Sequence, residues 1–267
     1  MSYGRPPTGN QVKSSETPRN AEGSRSPSIM FLLFLLFLAV MGGYLLLPQC
    51  IEYRSDNNNM RCKNNLKQLM LALHNYHDTY KCFPPAYLPD EEGRPLHSWR
   101  TLVLPFLEQA DLYEQYRFDE PWNGPNNSQL AARIPNVLQC PSEPNDYTNY
   151  LLITGPETAW GEGLAPTFAD FKDGTSNTIV LVEVADSGIQ WMEPRDLTLE
   201  QAARGVNSQL GLCFSAPHPL PGRKTEKPES ANVAFADGSV TNLKNDFPLA
   251  ELRKRLTHQG GEKVKRR

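Results

Sequence analysis

Residues 61–85 read RCKNNLKQLMLALHNYHDTYKCFPP, and this stretch decides what kind of fold the chain can build. Its apolar residues recur at spacings of four, three, four, three and four, which places them on one face of a helix. Prolines 84 and 85 end the pattern, because proline cannot continue a helix. We therefore expect an amphipathic helix over 48–82 that packs on the rest of the chain through one stripe: Cys62, Leu66, Leu69, Leu73, Tyr76 and Tyr80.

An apolar segment precedes this helix. Residues 29–47 read IMFLLFLLFLAVMGGYLLL and contain no charged side chain. A helix of this length covers about 28 Å, close to the thickness of the hydrocarbon core of a bilayer. No small-x-small cleavage site follows, which disfavours the alternative of a removable signal peptide. The sequence predicts a transmembrane helix over 29–47 that leads into the amphipathic helix.

The flanks of the apolar segment predict its orientation. Residues 1–28 carry four Lys or Arg against two Glu and are otherwise rich in Pro, Ser, Gly and Asn. This composition is typical of a disordered tail, and its positive charge favours the cytoplasmic side. We expect a single pass through the cytoplasmic membrane, with residues 83–250 forming an extracytoplasmic domain.

Beyond residue 85 the pattern changes to short β-branched runs bounded by Gly, Asp, Asn and Pro. A helix pattern interrupted by Pro105 covers 98–116, and a short helix capped by Asp196 or Thr198 is predicted over 197–204. The domain should be α+β, with an antiparallel sheet and long loops. Its predicted strands cover residues 148–154, 178–184, 232–236 and 240–243.

Whole-chain averages of composition, charge and hydropathy conceal the division of the chain into an apolar segment, a domain and basic ends. The 267 residues are 39% hydrophobic, with a net charge of −3 and a mean hydropathy of −0.52. These values exclude a polytopic transporter, a collagen-like repeat and a fully disordered chain. Residues 251–267 carry seven Lys or Arg against two Glu, which predicts a basic C-terminal tail that is solvated or contacts a polyanion. No basic surface interleaved with aromatic residues is visible, so we expect no nucleic-acid partner.

The joined order of these segments resembles the pseudopilin-like proteins expanded in planctomycetes. That family looks like the major pseudopilin of type II secretion and carries a domain of unknown function with a His-x9-Asp-Gly signature. The resemblance implies a pilin-like fold, in which a long N-terminal transmembrane-plus-amphipathic helix packs on a C-terminal antiparallel β-sheet. The stretches that carry it are residues 61–85, SWRTLVLPFLEQADLYEQY, VLQCPSEP, TNYLLITG, FKDGTSNTIVLVEVADS and VAFADGSVTNL.

The chain departs from that family in two places. Pseudopilins begin with a peptidase site and a Glu in the membrane segment, yet no Glu or Asp occurs between Glu22 and Glu52. We therefore expect that the chain is neither processed nor polymerised as a true pilin. The second departure is the signature: 18 residues, not nine, separate His218 from Asp237 and Gly238.

Two kinds of site remain open. The turn at residues 173–178 has either a structural role or, with Asp170, Asp173 and Asp237, holds calcium, as classical major pseudopilins do in a C-terminal loop. Five cysteines follow the apolar segment, and if that side is oxidising they tend to pair. Cys62 and Cys140 both lie in stretches that match the family, which favours a bond between them. Cys82 with Cys213 would complete two bridges, although four cysteines allow three pairings and Cys50 is left over.

The functional prediction is a membrane-anchored, pseudopilin-like envelope protein with a structural or interaction role. Envelope or secretion-type proteins are its expected partners, and no catalytic residue or cofactor other than calcium is expected. One alternative is an anchored module that binds a solute or glycan through aromatic loops. Another, less favoured, is an enzyme centred on His218 and Asp237, because a lone His without a paired nucleophile is more often structural.

Overall fold

The computed structural model describes residues 29–143, 145–161, 165–216 and 229–259, with only the backbone described for residues 43–56. The chain divides into two compact units, Met1–Leu47 and Pro48–Arg267. The helices are α1 (Ile29–Tyr80), α2 (Trp99–Leu102), α3 (Ala110–Gln115), α4 (Leu199–Ala202) and α5 (Leu249–Leu256). Turns of 3-10 helix lie at Leu104–Leu107, Asn127–Leu130, Asn136–Leu138 and Phe168–Asp170.

The predicted apolar stripe of α1 is confirmed. Cys62, Leu66, Leu69 and Leu73 are fully buried, while Tyr80 at the end of the helix is exposed. The helix ends where the prolines predict, and the next residue, Lys81, takes a left-handed backbone conformation with φ of 65°. The stripe therefore attaches this helix to the rest of its unit.

The predicted strands are also confirmed, and they form a five-stranded sheet in the order β5-β3-β4-β6-β7. Pairs β3–β4, β4–β6 and β6–β7 are antiparallel, whereas β5 joins β3 in parallel. A separate hairpin, which the sequence pattern did not predict, pairs β1 with β2. The bounds are β1 (Tyr87–Pro89), β2 (Pro95–Ser98), β3 (Tyr150–Thr154), β4 (Ile179–Glu183), β5 (Leu197–Thr198), β6 (Ser230–Phe235) and β7 (Val240–Lys244).

Both faces of the sheet are covered, and alternate residues of a strand enter different cores. In β3, Tyr150 and Leu152 join the core that contains the α1 stripe, while Leu151 and Ile153 join the core that contains α5. Every residue of β4 and β6 is buried. A side chain on the α1 face of these strands is therefore removed from water whatever its polarity.

The predicted fold class is corrected in two respects. The fold is α+β, but the sheet is mixed and not antiparallel, since the two-residue strand β5 runs parallel to β3. Within the described residues no helix combines the length and the apolar character needed to cross a membrane. The prediction of a pilin-like transmembrane-plus-amphipathic helix, with its span at 29–47, is therefore wrong.

Three smaller expectations are changed or resolved. The helical pattern over 98–116 breaks into α2, a 3-10 turn that contains Pro105, and α3. Helix α5 occupies the start of the predicted basic tail, because Leu252 and Leu256 are buried against the sheet; residues 260–267 lie outside the described part of the chain. Thr198, and not Asp196, caps α4, with its hydroxyl accepting from the Gln201 amide. That assignment leaves Asp196 available for another role.

Candidate functional site: two buried polar centres

Two thiols and a carboxylate meet in the core between α1 and the sheet. The ligand atoms of Cys62, Cys140 and Glu183 all lie within 4.8 Å of one another, and all three residues are fully buried. Among the described residues, no other group of three metal-ligating side chains comes together in this way. We call these three residues the thiol–carboxylate centre.

Each member of the centre comes from a different part of the fold. Cys62 belongs to the buried stripe of α1, and Glu183 is the last residue of β4, on the face that α1 covers. Cys140 follows a 3-10 turn and is held by its backbone amide, which donates to Asn149 Oδ1 at 2.7 Å. Residues that are far apart in sequence are thus brought together by regular packing.

Asparagine side chains orient the carboxylate of the centre. Asn232 Nδ2 donates to Glu183 Oε2 at 2.6 Å and to Asn59 Oδ1 at 3.1 Å. Asn242 Nδ2 in turn donates to Asn232 Oδ1 at 2.7 Å. Because Asn232 makes three bonds, it fixes the position of the Glu183 carboxylate within the core.

The surroundings of Cys62 favour the protonated form of its thiol. The hydrogen bond between Cys62 and Cys140, together with burial, raises the pKa of Cys62 far above its usual range. Burial likewise raises the pKa of the Tyr150 hydroxyl well above its usual value, and this hydroxyl also contacts Cys62. Tyr150 accepts a hydrogen bond from Asn65 Nδ2 at 3.2 Å. The centre therefore combines three acidic groups and a phenol in a dry environment.

An ion pair forms a second buried polar centre, on the other side of Tyr150. Arg100 Nη2 donates to Asp196 Oδ1 at 2.5 Å, and the arginine is completely buried. The same oxygen accepts from the Leu152 amide at 2.9 Å and from Trp99 Nε1 at 3.2 Å. We call Arg100 and Asp196 the ion-pair centre; its guanidinium also donates to Ser98 Oγ and to the backbone carbonyls of Tyr150, Glu193 and Arg195.

The ion-pair centre remains charged at neutral pH. Burial raises the pKa of the Asp196 carboxyl to about 6, and the Arg100 guanidinium acts in the opposite direction. The carboxyl is therefore ionised at pH 7, and its charge is matched by the guanidinium beside it. All three nitrogen atoms of the guanidinium donate hydrogen bonds, and Asp196 Oδ1 accepts three, which is the kind of arrangement that a buried charge requires.

Each of the three aspartates predicted to hold calcium makes its own structural contacts. Asp170 Oδ2 accepts from the amide and hydroxyl of Thr167, and these bonds lower the pKa of Asp170. Asp237 Oδ1 accepts from the amide and hydroxyl of Ser239 in the turn between β6 and β7. Asp173 follows the 3-10 turn, and its amide faces the carbonyl of His258 at 3.3 Å. Within the described residues, these three carboxylates are not among the side chains grouped closely enough to share an ion, and calcium binding stays a prediction.

The structure places a different histidine at the signature turn. His218 lies outside the described residues. His74 of α1 approaches the turn instead, with its Nε2 2.9 Å from the carbonyl oxygen of Ala236. Gly238 has a φ of +84°, and a Cβ there would lie 3.4 Å from His74 Cε1. The Asp237-Gly238 turn thus serves as a contact point for α1, and its positive φ favours glycine there.

The predicted cysteine pairs have different outcomes. The Cys62 and Cys140 side chains are adjacent, as a bond between them requires, but they are thiols in the structure. Cys82 Sγ donates to the Tyr80 carbonyl and Cys213 Sγ to the Ser208 carbonyl, and both are thiols. Disulfide pairing stays a prediction, and the Cys50 side chain lies outside the described part of the structure.

Sequence reasoning missed Glu183, Asn232 and the ion-pair centre. Glu183 is the last residue but one of the run TIVLVEV, and a single acidic residue in an apolar strand is the one signal that could have identified it. Arg100 and Asp196 are separated by 96 positions and carry no motif. Their pairing depends on how α2 and the segment before β5 meet, which no local pattern records.

A scan against protein families gives one match. Residues 59–163 match the model of a family described as "Protein of unknown function (DUF1559)". The matched stretch contains Cys62, Cys140 and Tyr150, whereas Glu183 and Asp196 lie beyond it. The predicted similarity to a domain of unknown function is thereby confirmed for this stretch. Searches of curated proteins and of solved structures found no match.

Proposed function

We propose that the chain is a membrane-attached, pseudopilin-like envelope protein with a structural or interaction role. In this proposal, the domain that follows the apolar segment faces the extracytoplasmic side of the cytoplasmic membrane. It acts through protein contacts with envelope or secretion-type partners, without catalysis and without polymerising as a true pilin.

The observation that carries the proposal is the exposed apolar surface of residues 29–41. The large apolar side chains of this segment are Ile, Met, Phe, Leu and Val, and each is between 41% and 80% exposed. They lie on every face of the helix, so no rotation of the segment could hide them from water. A continuous apolar surface of this kind needs an apolar environment, and we assign that environment to lipid acyl chains.

The second unit, Pro48–Arg267, supports a structural role more than the capture of a solute. Trp99, Trp160 and Trp191 are buried in the core, so they present no stacking surface for a sugar ring. A cavity of about 250 Å³ borders Trp160 and Asp196, but the Trp160 indole donates to the Pro84 carbonyl and Asp196 pairs with Arg100. The polar atoms of Trp160 and Asp196 at this cavity therefore make contacts that stabilise the fold.

Membrane fractionation of the full-length chain tests the attachment. We expect the unaltered protein in the membrane pellet after a carbonate wash. The double variant Leu33→Arg, Phe37→Arg should move at least half of the protein to the soluble fraction, because each Arg costs about 2.5–3.5 kcal/mol in an apolar bilayer environment. Leu210→Arg is the matched control, since Leu210 is 74% exposed and lies outside the apolar segment. Recovery of the unaltered protein in the soluble fraction contradicts the proposal.

Sequencing of the N-terminus tests the claim that the chain is not processed as a pilin. The proposal predicts that the membrane-bound protein keeps the segment before residue 28. A product that begins near Ser28 or Ile29 contradicts this part of the proposal.

A further inference from the structure

We infer that Cys62, Cys140 and Glu183 form a zinc site in the core between α1 and the sheet. The inference does not depend on membrane attachment. It rests on the convergence of three donor atoms within 4.8 Å of one another in the fully buried thiol–carboxylate centre.

The chemistry of the three donors favours zinc. Thiolate sulfur is the soft ligand that selects Zn²⁺ over Mg²⁺ or Ca²⁺, and carboxylate oxygen is a common third ligand. Three protein ligands leave one coordination position for a water or for the nearby Tyr150 hydroxyl. Zinc binding releases the two thiol protons to solvent, so that three negatively charged ligands surround a doubly positive ion.

The surroundings of Glu183 resemble the outer shell of a metal site. A ligating carboxylate is normally held by a second hydrogen-bonded residue, which orients it before the ion arrives. Asn232 has this position, because its Nδ2 donates to Glu183 Oε2 at 2.6 Å. Asn232 is itself held by hydrogen bonds with Asn59 and Asn242. The carboxylate is therefore oriented by residues from α1, β6 and β7.

The distances allow an ion with a small local movement. Ligands at about 2.0–2.3 Å from a tetrahedral ion lie roughly 3.3–3.8 Å from one another. The donors here lie within 4.8 Å of one another, so they need to approach by at most about 1.5 Å to satisfy this geometry. Cys140 lies in a loop and not in a strand, so the movement needs no change in the sheet.

A disulfide between the two thiols is the competing chemistry. It would use both sulfur atoms but would give no role to the oriented carboxylate of Glu183. The two possibilities also differ in their dependence on Glu183, since a disulfide does not need a carboxylate. This difference separates them experimentally.

Metal analysis of the full-length protein tests the site. The chain is purified in a non-chelating phosphine reductant, incubated with Zn²⁺ alone and desalted, and its zinc content is measured. We expect about one zinc per chain for the unaltered protein, as four-coordinate sites bind a single ion. Cys62→Ser, Cys140→Ser and Glu183→Gln should each lose it. Asn232→Ala should weaken binding about 10–100-fold.

Matched controls and a spectroscopic measurement keep the test decisive. Cys82→Ser and Cys213→Ser should keep the zinc, because both residues lie outside the centre. If a variant does not fold, the unaltered protein is loaded with Co²⁺ instead and its absorption spectrum is measured. We expect a charge-transfer band from sulfur to cobalt. Three results overturn the inference: no zinc bound, zinc retained by Glu183→Gln, or an intact mass that shows a Cys62–Cys140 disulfide as the stable form.

Discussion

The two buried polar centres of this protein solve the problem of burying charge in opposite ways. In the ion-pair centre, Asp196 meets a guanidinium at 2.5 Å and two further N–H donors, so its charge is matched by the protein itself. In the thiol–carboxylate centre, Cys62, Cys140 and Glu183 bring three acidic groups together, with the thiol of Cys62 held protonated. The first centre is complete as a structural element. The second has the donor set of a cation site.

Tyr150 belongs to both centres and shows how closely they are built into one fold. Its backbone carbonyl accepts from Arg100 Nε and Nη2 at 3.4 Å, while its hydroxyl contacts Cys62 and accepts from Asn65. Strand β3 therefore presents its backbone to one centre and a side chain to the other. Changes at the two centres should be separable, because they use different atoms of this residue.

Breaking the ion-pair centre should have the largest effect. Asp196→Ala removes the acceptor of Arg100, Trp99 Nε1 and the Leu152 amide, and leaves a buried guanidinium unmatched. We expect the free energy of unfolding to fall by about 3–5 kcal/mol, measured by urea denaturation. The control Glu92→Ala removes an exposed ion pair with Arg94 and should cost less than about 1 kcal/mol. Equal losses in both variants would show that the buried pair has no special role.

Zinc should stabilise the protein through the other centre. At a free zinc concentration of about 100 times its dissociation constant, we expect a gain of about 2.7 kcal/mol in the free energy of unfolding. Glu183→Gln should abolish the gain, whereas the exposed control Glu92→Ala should keep it in full. A gain that survives in Glu183→Gln would place the ion elsewhere.

Removing the Tyr150 hydroxyl should have the smallest effect. Tyr150→Phe keeps the carbonyl that Arg100 uses but removes one acceptor of Asn65 Nδ2, which still donates to the Gln139 carbonyl. We expect a loss of about 1 kcal/mol in urea denaturation. The control Tyr147→Phe, at a side chain that is 40% exposed, should change stability by less than about 0.5 kcal/mol. A loss as large as that of Asp196→Ala would mean that the centres are not separable.

The sequence predicted those elements that carry a period, and it missed the features that depend on contacts between distant segments. The stripe from Cys62 to Leu73 and the strands β3, β4, β6 and β7 were visible because burial repeats along each element. Strand β5 has two residues and therefore no period, so its parallel pairing could not be foreseen. The apolar count over 29–47 led to a predicted transmembrane helix that the described residues do not support.

The candidate site was predictable only in part, for the same reason. Cys62 and Cys140 were paired by their position in matching stretches, and the structure brings them together. The sequence predicts Glu183 only as one residue of a strand. Strand periodicity predicts which face of the sheet a residue occupies, but not which side chains it contacts there. Asp196 was considered as a helix cap, whereas its partner Arg100 lies 96 positions away. Polar centres built from distant residues need the tertiary structure to be recognised.

X-ray absorption at the zinc edge is the most direct test of the contrast between the two centres. The full-length protein, reduced and loaded with one equivalent of Zn²⁺, should show two sulfur ligands at about 2.3 Å and oxygen ligands at about 2.0–2.2 Å. Asp196→Ala, if it folds, should give the same spectrum, because the ion-pair centre supplies no ligand. A spectrum with only nitrogen and oxygen ligands would contradict the assignment of the ion to Cys62, Cys140 and Glu183.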